Sequence, residues 1–363
     1  MRALYNGDVS PSLPQVPVAR LVGHDGPTLI VRFTADGNYC VSGGHDRTVR
    51  LWNPFRLDPG YLSKSGTALS KFEKAHKTDL EKLPPALPIQ TYSGGYTHPI
   101  SAVLATESNS AQLLLAASDK TLVVTDLLTK QVTRRLQGHA GRVNALAAAD
   151  RGEAYLSASY DGNVSIWDGR SREMKPIQVL SEAKDSVTEV HTVQSESGGA
   201  SSATMGVIRT ASVDGVVRSY DLRKGLLKCD DAGSPILSMA ATHDGQCLAI
   251  SCLDGTIRLM EIATGELLNT YNGLHKAGRY GLEVAVLADD STIATGSEDG
   301  SCTLYDLVRA NRVQALEGPL RPTCSITAHP KKSSVVITAS YDSSTVVWSS
   351  NSDLWRQQLE PEI

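Results

Sequence analysis

Residues 155–168 read YLSASYDGNVSIWD, which is a short apolar run, an aspartate-bearing turn and a second apolar run. The Asp161-Gly162 step gives the backbone the freedom that a tight hairpin needs, so the runs at 154–159 and 164–167 predict two antiparallel strands. The same pattern occurs seven times along the chain, with its turn aspartate at these positions: Asp46, Asp119, Asp161, Asp214, Asp254, Asp299 and Asp342. A repeat, rather than any single motif, therefore decides the fold.

The spacing of these aspartates predicts the architecture. Most neighbours lie about 40 to 45 residues apart, which is the length of a four-stranded propeller blade. The two longer intervals each contain an insertion, at residues 54–88 and in a Ser/Gly-rich loop at 193–205. The sequence thus predicts an all-β fold, a single seven-bladed β-propeller over residues 16–350, with tails at 1–15 and 351–363.

The ends of the repeat region predict how the ring closes. The run VPVARLV at 16–22 precedes the strands of the first blade, whereas the last repeat stops at Trp348 without a fourth strand of its own. We expect the N-terminal strand to complete the last blade, because this pairing would remove the open sheet edge.

Two repeats share four side chains at matching offsets. The set comprises His24, Ser42, Asp46 and Trp52 in the first repeat, and His139, Ser157, Asp161 and Trp167 in the third. This pattern resembles the β-transducin (WD) repeat family, in which these side chains form a hydrogen-bonded network that ties an inter-blade loop to the hairpin. The network is physically reasonable, because a buried histidine must satisfy both ring nitrogens, and an aspartate plus a hydroxyl can do so.

The serine, histidine and aspartate of each set could instead form a nucleophilic triad. A hydrolase needs one exposed nucleophile beside an oxyanion hole, whereas this set occurs twice, with a tryptophan at a fixed offset. We therefore interpret the sets as structural and expect Asp161→Ala to cost about 1 to 3 kcal/mol of stability. The sequence also lacks GxxxxGK, HExxH, GxSxG and CxxC patterns. We predict no enzyme activity, no cofactor and no metal.

The other five repeats depart from the full set. The loop histidine is missing from four of them, and His275 of the sixth repeat is displaced by one residue. Their residues at the tryptophan position are Thr125, Tyr220, Met260, Tyr305 and Trp348. We expect these repeats to depend on apolar packing more than on polar networks.

Composition indicates a globular chain outside the secretory pathway. Hydrophobic residues make up 41% and charged residues 20%, and the net charge is −4. No apolar run approaches the roughly 20 residues that cross a bilayer, and the N-terminal residues lack the apolar core of a secretory signal. The six scattered cysteines are typical of reduced, buried thiols. We expect a monomeric protein of the cytoplasm and nucleus, without membrane association.

Longer segments resemble one group within the superfamily. The segments are DGNYCVSGGHDRTVRLWNPFR from residue 36, LQGHAGRVNAL from 136, SVDGVVRSYDLRKGLL from 212 and DGQCLAISCLDGTIRL from 244. Over about residues 19–348, apart from the two insertions, the chain resembles the mitogen-activated protein kinase organizer family of WD-repeat scaffolds. The resemblance implies an adaptor that gathers kinase-cascade components and a constituent of the catalytic spliceosome, so the implied partners are several proteins.

The insertion at 54–88 is the most distinctive departure from that family. Apolar residues and one histidine follow steps of three and four, which predicts an amphipathic helix over 68–83 that ends before Pro84 and Pro85. This helix could pack its apolar stripe on the side of the propeller, or it could be a partner-specific docking element. The sequence is compatible with both interpretations.

The resemblance also suggests where partners bind. In WD propellers, the residue before each turn aspartate and the residue before each innermost strand tend to face one rim of the central channel. Aromatic and arginine side chains are enriched in binding hot spots. The candidate rim residues are His45, Arg142, Tyr160, Arg279, Tyr280 and Tyr341.

Two functional hypotheses remain at this point. The first is a non-catalytic scaffold for splicing or kinase-cascade complexes. The alternative is an RNA-contacting subunit of a ribonucleoprotein particle. Direct nucleic-acid binding is not expected, because the chain is slightly acidic and its lysines do not cluster outside the insertion.

Overall fold

The seven-bladed propeller is confirmed by a computed structural model of the chain, which describes residues 13–64, 80–93, 95–106, 112–149, 153–193, 206–273, 275–278, 280–318 and 321–350. Seven antiparallel sheets of four strands each form the blades. In six of the seven sheets the chain runs from the innermost strand outward, so consecutive strands are hydrogen-bonded neighbours.

The strands have the following bounds. The first strand of the chain is β1 (Val16–Arg20). Blade 1 contains β2 (Thr28–Phe33), β3 (Cys40–Gly44), β4 (Val49–Leu57) and β5 (Ala86–Tyr92). Blade 2 contains β6 (Ile100–Thr106), β7 (Gln112–Ala117), β8 (Leu122–Asp126) and β9 (Val132–Leu136). Blade 3 contains β10 (Val143–Ala149), β11 (Ala154–Ser159), β12 (Val164–Asp168) and β13 (Gln178–Leu180). Blade 4 contains β14 (Val187–Val193), β15 (Val207–Ser212), β16 (Val216–Asp221) and β17 (Leu226–Asp231).

The remaining blades follow the same order. Blade 5 contains β18 (Ile236–Ala241), β19 (Cys247–Cys252), β20 (Ile257–Glu261) and β21 (Leu267–Tyr271). Blade 6 contains β22 (Val284–Val286), β23 (Thr292–Gly296), β24 (Cys302–Asp306) and β25 (Arg312–Leu316). Blade 7 contains β26 (Thr323–Ala328), β27 (Val335–Ser340) and β28 (Thr345–Ser349), and its fourth strand is β1.

The N-terminal strand closes the ring, as the sequence predicts. Strand β1 pairs antiparallel with β28, with Val16 opposite Ser349 and Arg20 opposite Val346. The bond from Leu21 N to Thr345 O (2.9 Å) extends the pairing beyond the strand. Blade 7 is thus built from both ends of the propeller, so opening the ring requires breaking a complete strand pair.

The position of each strand in its blade determines its burial. The second strands β11 and β19 are buried at every residue, because neighbouring blades cover both sheet faces. The outermost strand β17 is instead mostly exposed. The Asp-Gly turn between β11 and β12 has Gly162 at φ +80°, the left-handed conformation that favours glycine.

The insertion in blade 1 is shorter than the sequence estimate of 54–88, because β4 continues to Leu57 and β5 begins at Ala86. A short helix, α1 (Pro59–Lys64), follows β4, and a single 3₁₀ turn covers Leu80–Lys82. Most of the helix predicted at 68–83 lies outside the described residues, and so does most of the loop at 193–205.

The end of the insertion packs on the closing strand. Leu83 is buried in a cluster with Leu304 and Trp348, and Leu80 packs against the same cluster. The amide of Arg20 in β1 donates to Pro84 O at 3.0 Å. At these residues the insertion therefore packs on the propeller and covers the outer edge of β1. Among the described residues, no helix has the length and apolar character needed to cross a membrane.

Candidate functional site

The two four-residue sets form the same hydrogen-bonded chain. In blade 3, the two ring nitrogens of His139 lie 3.1 Å from the Asp161 carboxylate and 2.7 Å from Ser157 Oγ. Trp167 Nε1 donates to the same hydroxyl at 2.8 Å. This arrangement fits a neutral imidazole whose Nδ1–H donates to the carboxylate and whose Nε2 accepts from the serine.

Blade 1 repeats this geometry with its own set. His24 Nδ1 lies 3.0 Å from Asp46 Oδ2, and His24 Nε2 lies 2.7 Å from Ser42 Oγ. Trp52 Nε1 donates to Ser42 Oγ at 2.9 Å. In each of the two blades, the structure thus brings together the four residues that the sequence assigns to the set.

The aspartates also hold backbone amides, which links two loops through one carboxylate. Asp161 accepts from the amides of Ala140 (2.8 Å) in the inter-blade loop and Asn163 (2.9 Å) in the hairpin turn. Burial alone would raise the pKa of Asp161, but these bonds and the attraction to His139 outweigh it and lower that pKa. Burial lowers the pKa of His139, and the carboxylate opposes this only in part. The pair is therefore an ionised aspartate and a neutral histidine near neutral pH.

This geometry does not suit nucleophilic catalysis. Ser42 and Ser157 are fully buried, and each hydroxyl accepts the indole N–H of its own set. A nucleophilic serine must instead reach its substrate beside an oxyanion hole. Within the part of the chain that the structure describes, no three His, Cys, Asp or Glu side chains form a group that could hold a metal ion.

Blades 4 and 5 each contain a polar contact that the sequence analysis did not predict. In blade 4, Arg218 makes two bonds to the Asp214 carboxylate, at 3.2 and 2.7 Å, and both side chains are buried. In blade 5, Arg258 Nη2 donates to Asp254 at 2.7 Å. Each arginine lies four residues after its aspartate, across the hairpin turn, and takes the place of the missing histidine.

Blades 2, 6 and 7 keep smaller polar contacts. Tyr96 and Thr125 join their hydroxyls at 3.2 Å in blade 2. In blade 6, His275 Nδ1 lies 2.8 Å from the hydroxyl of Tyr305, which occupies the tryptophan position. In blade 7, the Trp348 indole donates to Thr338 Oγ1 at 2.9 Å. Polar contacts thus recur around the ring, with a different chemistry in most blades.

One backbone hydrogen bond occurs in all seven blades and defines the rim of the channel. The amide of the residue before each turn aspartate donates to a carbonyl in the loop that leads to the innermost strand, as in Tyr160 N to Arg142 O (2.8 Å). The donor and acceptor pairs are His45 and Pro27, Ser118 and Pro99, Tyr160 and Arg142, Val213 and Ser186, Leu253 and Pro235, Glu298 and Lys276, and Tyr341 and Pro322. We call this ring of paired residues the channel mouth.

The channel mouth exposes several of the candidate rim residues. Tyr160 is 68% exposed, and Arg142 and His45 are also exposed. Arg142 Nε donates to Asn144 Oδ1 at 3.2 Å, and no acidic side chain forms an ion pair with Arg142 in the described ranges. The guanidinium and the phenol ring next to it are thus available to a bound molecule.

Two further candidates form an aromatic pair at the mouth. The rings of Tyr280 and Tyr341 have centroids 5.6 Å apart at a tilt of 46°. Tyr280 remains 43% exposed, and its amide donates to Glu298 Oε1 at 3.0 Å. Burial raises the pKa of Tyr341, and the charge of Arg142 opposes part of this rise. The tyrosine pair therefore lies within electrostatic reach of the Arg142 guanidinium.

Blade 6 departs from the sequence expectation at the mouth. Strand β22 begins only at Val284, so Tyr280 is not the residue directly before the innermost strand. Lys276 accepts the rim hydrogen bond in this blade, and its exposed side chain belongs to the mouth although sequence reasoning missed it. Arg279 lies outside the described residues. The displacement of His275 by one residue already indicated a longer loop in blade 6. In a longer loop, the offset from the other repeats no longer identifies the residue before the innermost strand.

A partly buried ion pair links blade 1 to the loop that carries Tyr280. Arg32 of blade 1 binds Glu283 through two bonds, at 2.8 and 3.0 Å. Glu283 also accepts from Ser325 Oγ (2.8 Å) and from the amide of Ile326 (3.0 Å) in blade 7. Glu283, three residues after Tyr280, thus links blade 6 to blades 1 and 7.

The fold and the repeated side-chain sets define the class of the protein. The family model described as WD domain, G-beta repeat matches residues 15–53, 130–168 and 226–260. Two of these matches cover the repeats that carry the full set, and the third ends at Met260 in blade 5. The chain is a WD-repeat β-propeller.

Full-length relatives define the family more closely. The chain is 36% identical over 320 residues to human WD repeat domain-containing protein 83, with 88% of each chain covered. It is 29% identical over 346 residues to a WD repeat domain-containing protein 83 homolog of Dictyostelium discoideum, which covers 90% of this chain and 96% of the relative. The chain belongs to the WD repeat domain-containing protein 83 family. It is also 28% identical over 209 residues to the pre-mRNA-splicing factor cwf17 of Schizosaccharomyces pombe, over 57% of this chain and 49% of the relative.

Proposed function

We propose that this chain is a non-catalytic scaffold that assembles multiprotein complexes in pre-mRNA splicing, in kinase-cascade signalling, or in both. Its partners are several proteins, and they bind a monomeric propeller at the channel mouth. The protein acts in the cytoplasm and the nucleus. The observation that most supports this function is the presence at the channel mouth of the exposed side chains of Arg142, Tyr160 and Tyr280, with the partly buried Tyr341 against Tyr280.

The chemistry of the mouth supports a protein partner. Tyrosine offers a large, rigid contact area together with a hydroxyl, and both tyrosine and arginine are enriched in binding hot spots. Arg142 lacks an acidic partner within the described residues and can pair with a carboxylate of the bound protein. A rim with these side chains suits the recognition of a protein.

The splicing part of the proposal is supported by the name of one relative. The fission yeast relative is called a pre-mRNA-splicing factor, and it shares about half of its length with this chain. The kinase part rests on the resemblance to the mitogen-activated protein kinase organizer family. Purifying the protein from cells and identifying its partners by quantitative mass spectrometry separates these two parts.

The test compares wild type with a triple mouth variant, Arg142→Ala, Tyr280→Ala and Tyr341→Ala. The matched control is Leu128→Ala, because Leu128 is 84% exposed at the turn between β8 and β9, on the opposite rim. We expect recovery of splicing factors or kinases with wild type and with the control, and at least about a tenfold loss with the triple variant. Unchanged melting temperatures would show that all three proteins are folded.

Equal recovery with the triple variant would contradict binding at the mouth. Recovery of neither partner class with wild type would contradict the proposed assembly role. Binding to RNA, titrated against salt, tests the RNA-contacting alternative, since phosphate contacts produce a steep loss of affinity with salt. We expect no measurable binding in that titration.

A further inference from the structure

The strand that closes the ring is a weak edge by itself. Strand β1 has only 5 residues, contains Pro17, which has no N–H, and shifts register between Pro17 and Ala19. The outermost strand of every other blade follows the third strand of its own blade in the chain, whereas β1 pairs with β28 at the opposite end of the propeller. Detachment of β1 breaks no other strand pair, so we expect it to open locally unless another element holds it.

The end of the blade 1 insertion supplies such an element, and we call residues 80–85 the strap. The strap reaches the outer edge of β1, where the amide of Arg20 donates to Pro84 O at 3.0 Å and Arg20 forms a parallel bridge with Pro85. The carbonyl of Pro85 accepts from the amide of Asp58, near the start of the insertion, at 3.0 Å. Successive carbonyls of an extended chain point to opposite sides, so the strap joins β1 to the insertion's own first residues.

Apolar packing connects the strap to both neighbours of blade 7. Leu83 is buried in the cluster between blades 6 and 7, together with Leu304 and Trp348. Ala86, directly after the strap, is buried in the cluster between blades 7 and 1, together with Val18 of β1. The chain thus crosses from blade 1 over the edge of β1 to the far side of blade 7, which is the seam where the ring closes.

The chemistry of the strap makes its hold on β1 strong enough to matter and weak enough to be released. Pro84 and Pro85 restrict the backbone before docking, so less conformational entropy is lost when the strap binds. The two prolines have no N–H, so they accept a bond from β1 and donate none in return. The hold therefore depends mainly on Leu80 and Leu83, whose side chains pack on the cluster between blades 6 and 7.

We propose that the strap controls local opening of the ring at blade 7. While the strap is docked, β1 is held between β28 and the strap. When the strap detaches, β1 separates from β28 and the other six blades stay folded. The two elements act together because Leu83 packs on Trp348, which is the residue of β28 that lies opposite Pro17 of β1. The insertion, which is the chain's main departure from the family it resembles, thereby takes part in closing the ring.

The test is native-state hydrogen exchange of the full chain, followed by mass spectrometry, because it reports the opening of individual strands. The strap variants are Leu83→Ala and the milder Leu80→Ala, since Leu80 is only partly buried. The matched control is Leu180→Ala in β13, the outermost strand of blade 3. Leu180 is 6% exposed and Leu83 is 7% exposed, so both substitutions remove a similarly buried leucine from the outside of a blade.

We expect Leu83→Ala to accelerate exchange in residues 15–21 by at least about tenfold and to leave β10 and β11 of blade 3 unchanged. Leu180→Ala should leave residues 15–21 unchanged. If Leu83→Ala fails to fold, Leu80→Ala keeps the test valid, and it should accelerate exchange in the same segment by a smaller factor.

Three results would overturn the proposal. One is unchanged exchange of residues 15–21 in folded strap variants, which would show that β1 stays paired without the strap. Another is an equal acceleration in all blades, because the strap would then contribute only to global stability. The third is an equal acceleration of residues 15–21 by Leu180→Ala, since the effect would not be specific to the strap.

Discussion

Replacing Asp161 by alanine tests the structural role of the polar sets. The carboxylate accepts three good hydrogen bonds, from His139 Nδ1 (3.1 Å) and from the amides of Ala140 (2.8 Å) and Asn163 (2.9 Å). The His139 side chain is almost completely buried, so water cannot replace its lost acceptor. The amide of Ala140 lies at the surface and can bond to water.

The structure gives the size of the effect. A buried donor left without a partner costs about 1 to 3 kcal/mol, and a typical satisfied hydrogen bond contributes about 0.5 to 1.5 kcal/mol. We therefore expect Asp161→Ala to lower the free energy of unfolding by about 2 to 3 kcal/mol, mostly through His139. At about 2 to 4 °C per kcal/mol, the melting temperature should fall by about 4 to 12 °C.

The matched control is Asp119→Ala in blade 2. Asp119 holds the same turn through the amide of Thr121 (3.2 Å), but its partner across the loop is the exposed Thr97 (3.1 Å) instead of a buried histidine. We expect this variant to lose no more than about 1 kcal/mol. Denaturant unfolding of both variants beside wild type makes the comparison, and equal losses would refute the argument that the buried histidine dominates.

The effect of Asp161→Ala also depends on pH. The pKa of Asp161 is lower in the folded protein than in the unfolded chain, so the ionised carboxylate stabilises the fold above its unfolded pKa. This contribution is lost as the pH falls through the folded pKa. The difference between wild type and variant should therefore be complete at neutral pH and shrink in acid. A difference that grows in acid would contradict this assignment of charge.

Three further predictions concern stability. Asp214→Ala leaves the Arg218 guanidinium buried without its counter-charge, so it should lower the free energy of unfolding by about 3 to 5 kcal/mol in denaturant. The double variant with Arg218→Leu should lose less stability than the single variant. A double variant that loses as much or more would contradict this prediction. Burial of His329 and the charges of the two lysines that follow it lower its pKa to about 4, so the unfolded chain binds the proton first and stability should fall between about pH 6.5 and pH 4. His329→Gln should flatten that dependence in unfolding measured across the range, and an unchanged slope would refute the assignment. Ser343 has φ +76° in the turn of blade 7, at the position where Gly162 has φ +80° in blade 3. Ser343→Gly should therefore raise the unfolding free energy by about 0.5 to 1 kcal/mol, and Gly162→Ala should lower it by about 1 kcal/mol. Thermal melts that show the opposite signs would contradict this prediction.

The repeat predicted most of the fold because each blade repeats the same local chemistry. An aspartate-bearing turn between two apolar runs predicts a hairpin, and residues 16–20 pair with β28 as the repeat pattern indicates. The sets around His24 and His139 followed from fixed offsets, since side chains that recur at one spacing recur in one geometry.

The substituted networks were missed because they use different residue types. Arg218 and Arg258 each follow a turn aspartate by four residues, in DGVVR and DGTIR, and this spacing was a visible signal. Its meaning was ambiguous, because Arg50 has the same offset from Asp46, whose carboxylate is held by His24. Which cation reaches the carboxylate depends on the neighbouring loop, and a pattern within one hairpin does not contain that loop.

The channel mouth was predicted in part for a related reason. Tyr341 and Tyr160 follow from their place before a turn aspartate. The contact between Tyr280 and Tyr341 joins two blades through a loop of irregular length, so no repeat offset specifies it. Long-range contacts of this kind depend on the shape of the closed ring.

Photo-crosslinking in cells tests the central claim, partner binding at the channel mouth, most directly. A photoreactive phenylalanine derivative is placed at Tyr160, which is 68% exposed at the mouth, and in a second protein at Leu128 on the opposite rim. We predict crosslinked splicing or kinase-cascade proteins from position 160 and none of them from position 128. The same proteins crosslinked from position 128, with none from position 160, would contradict the account.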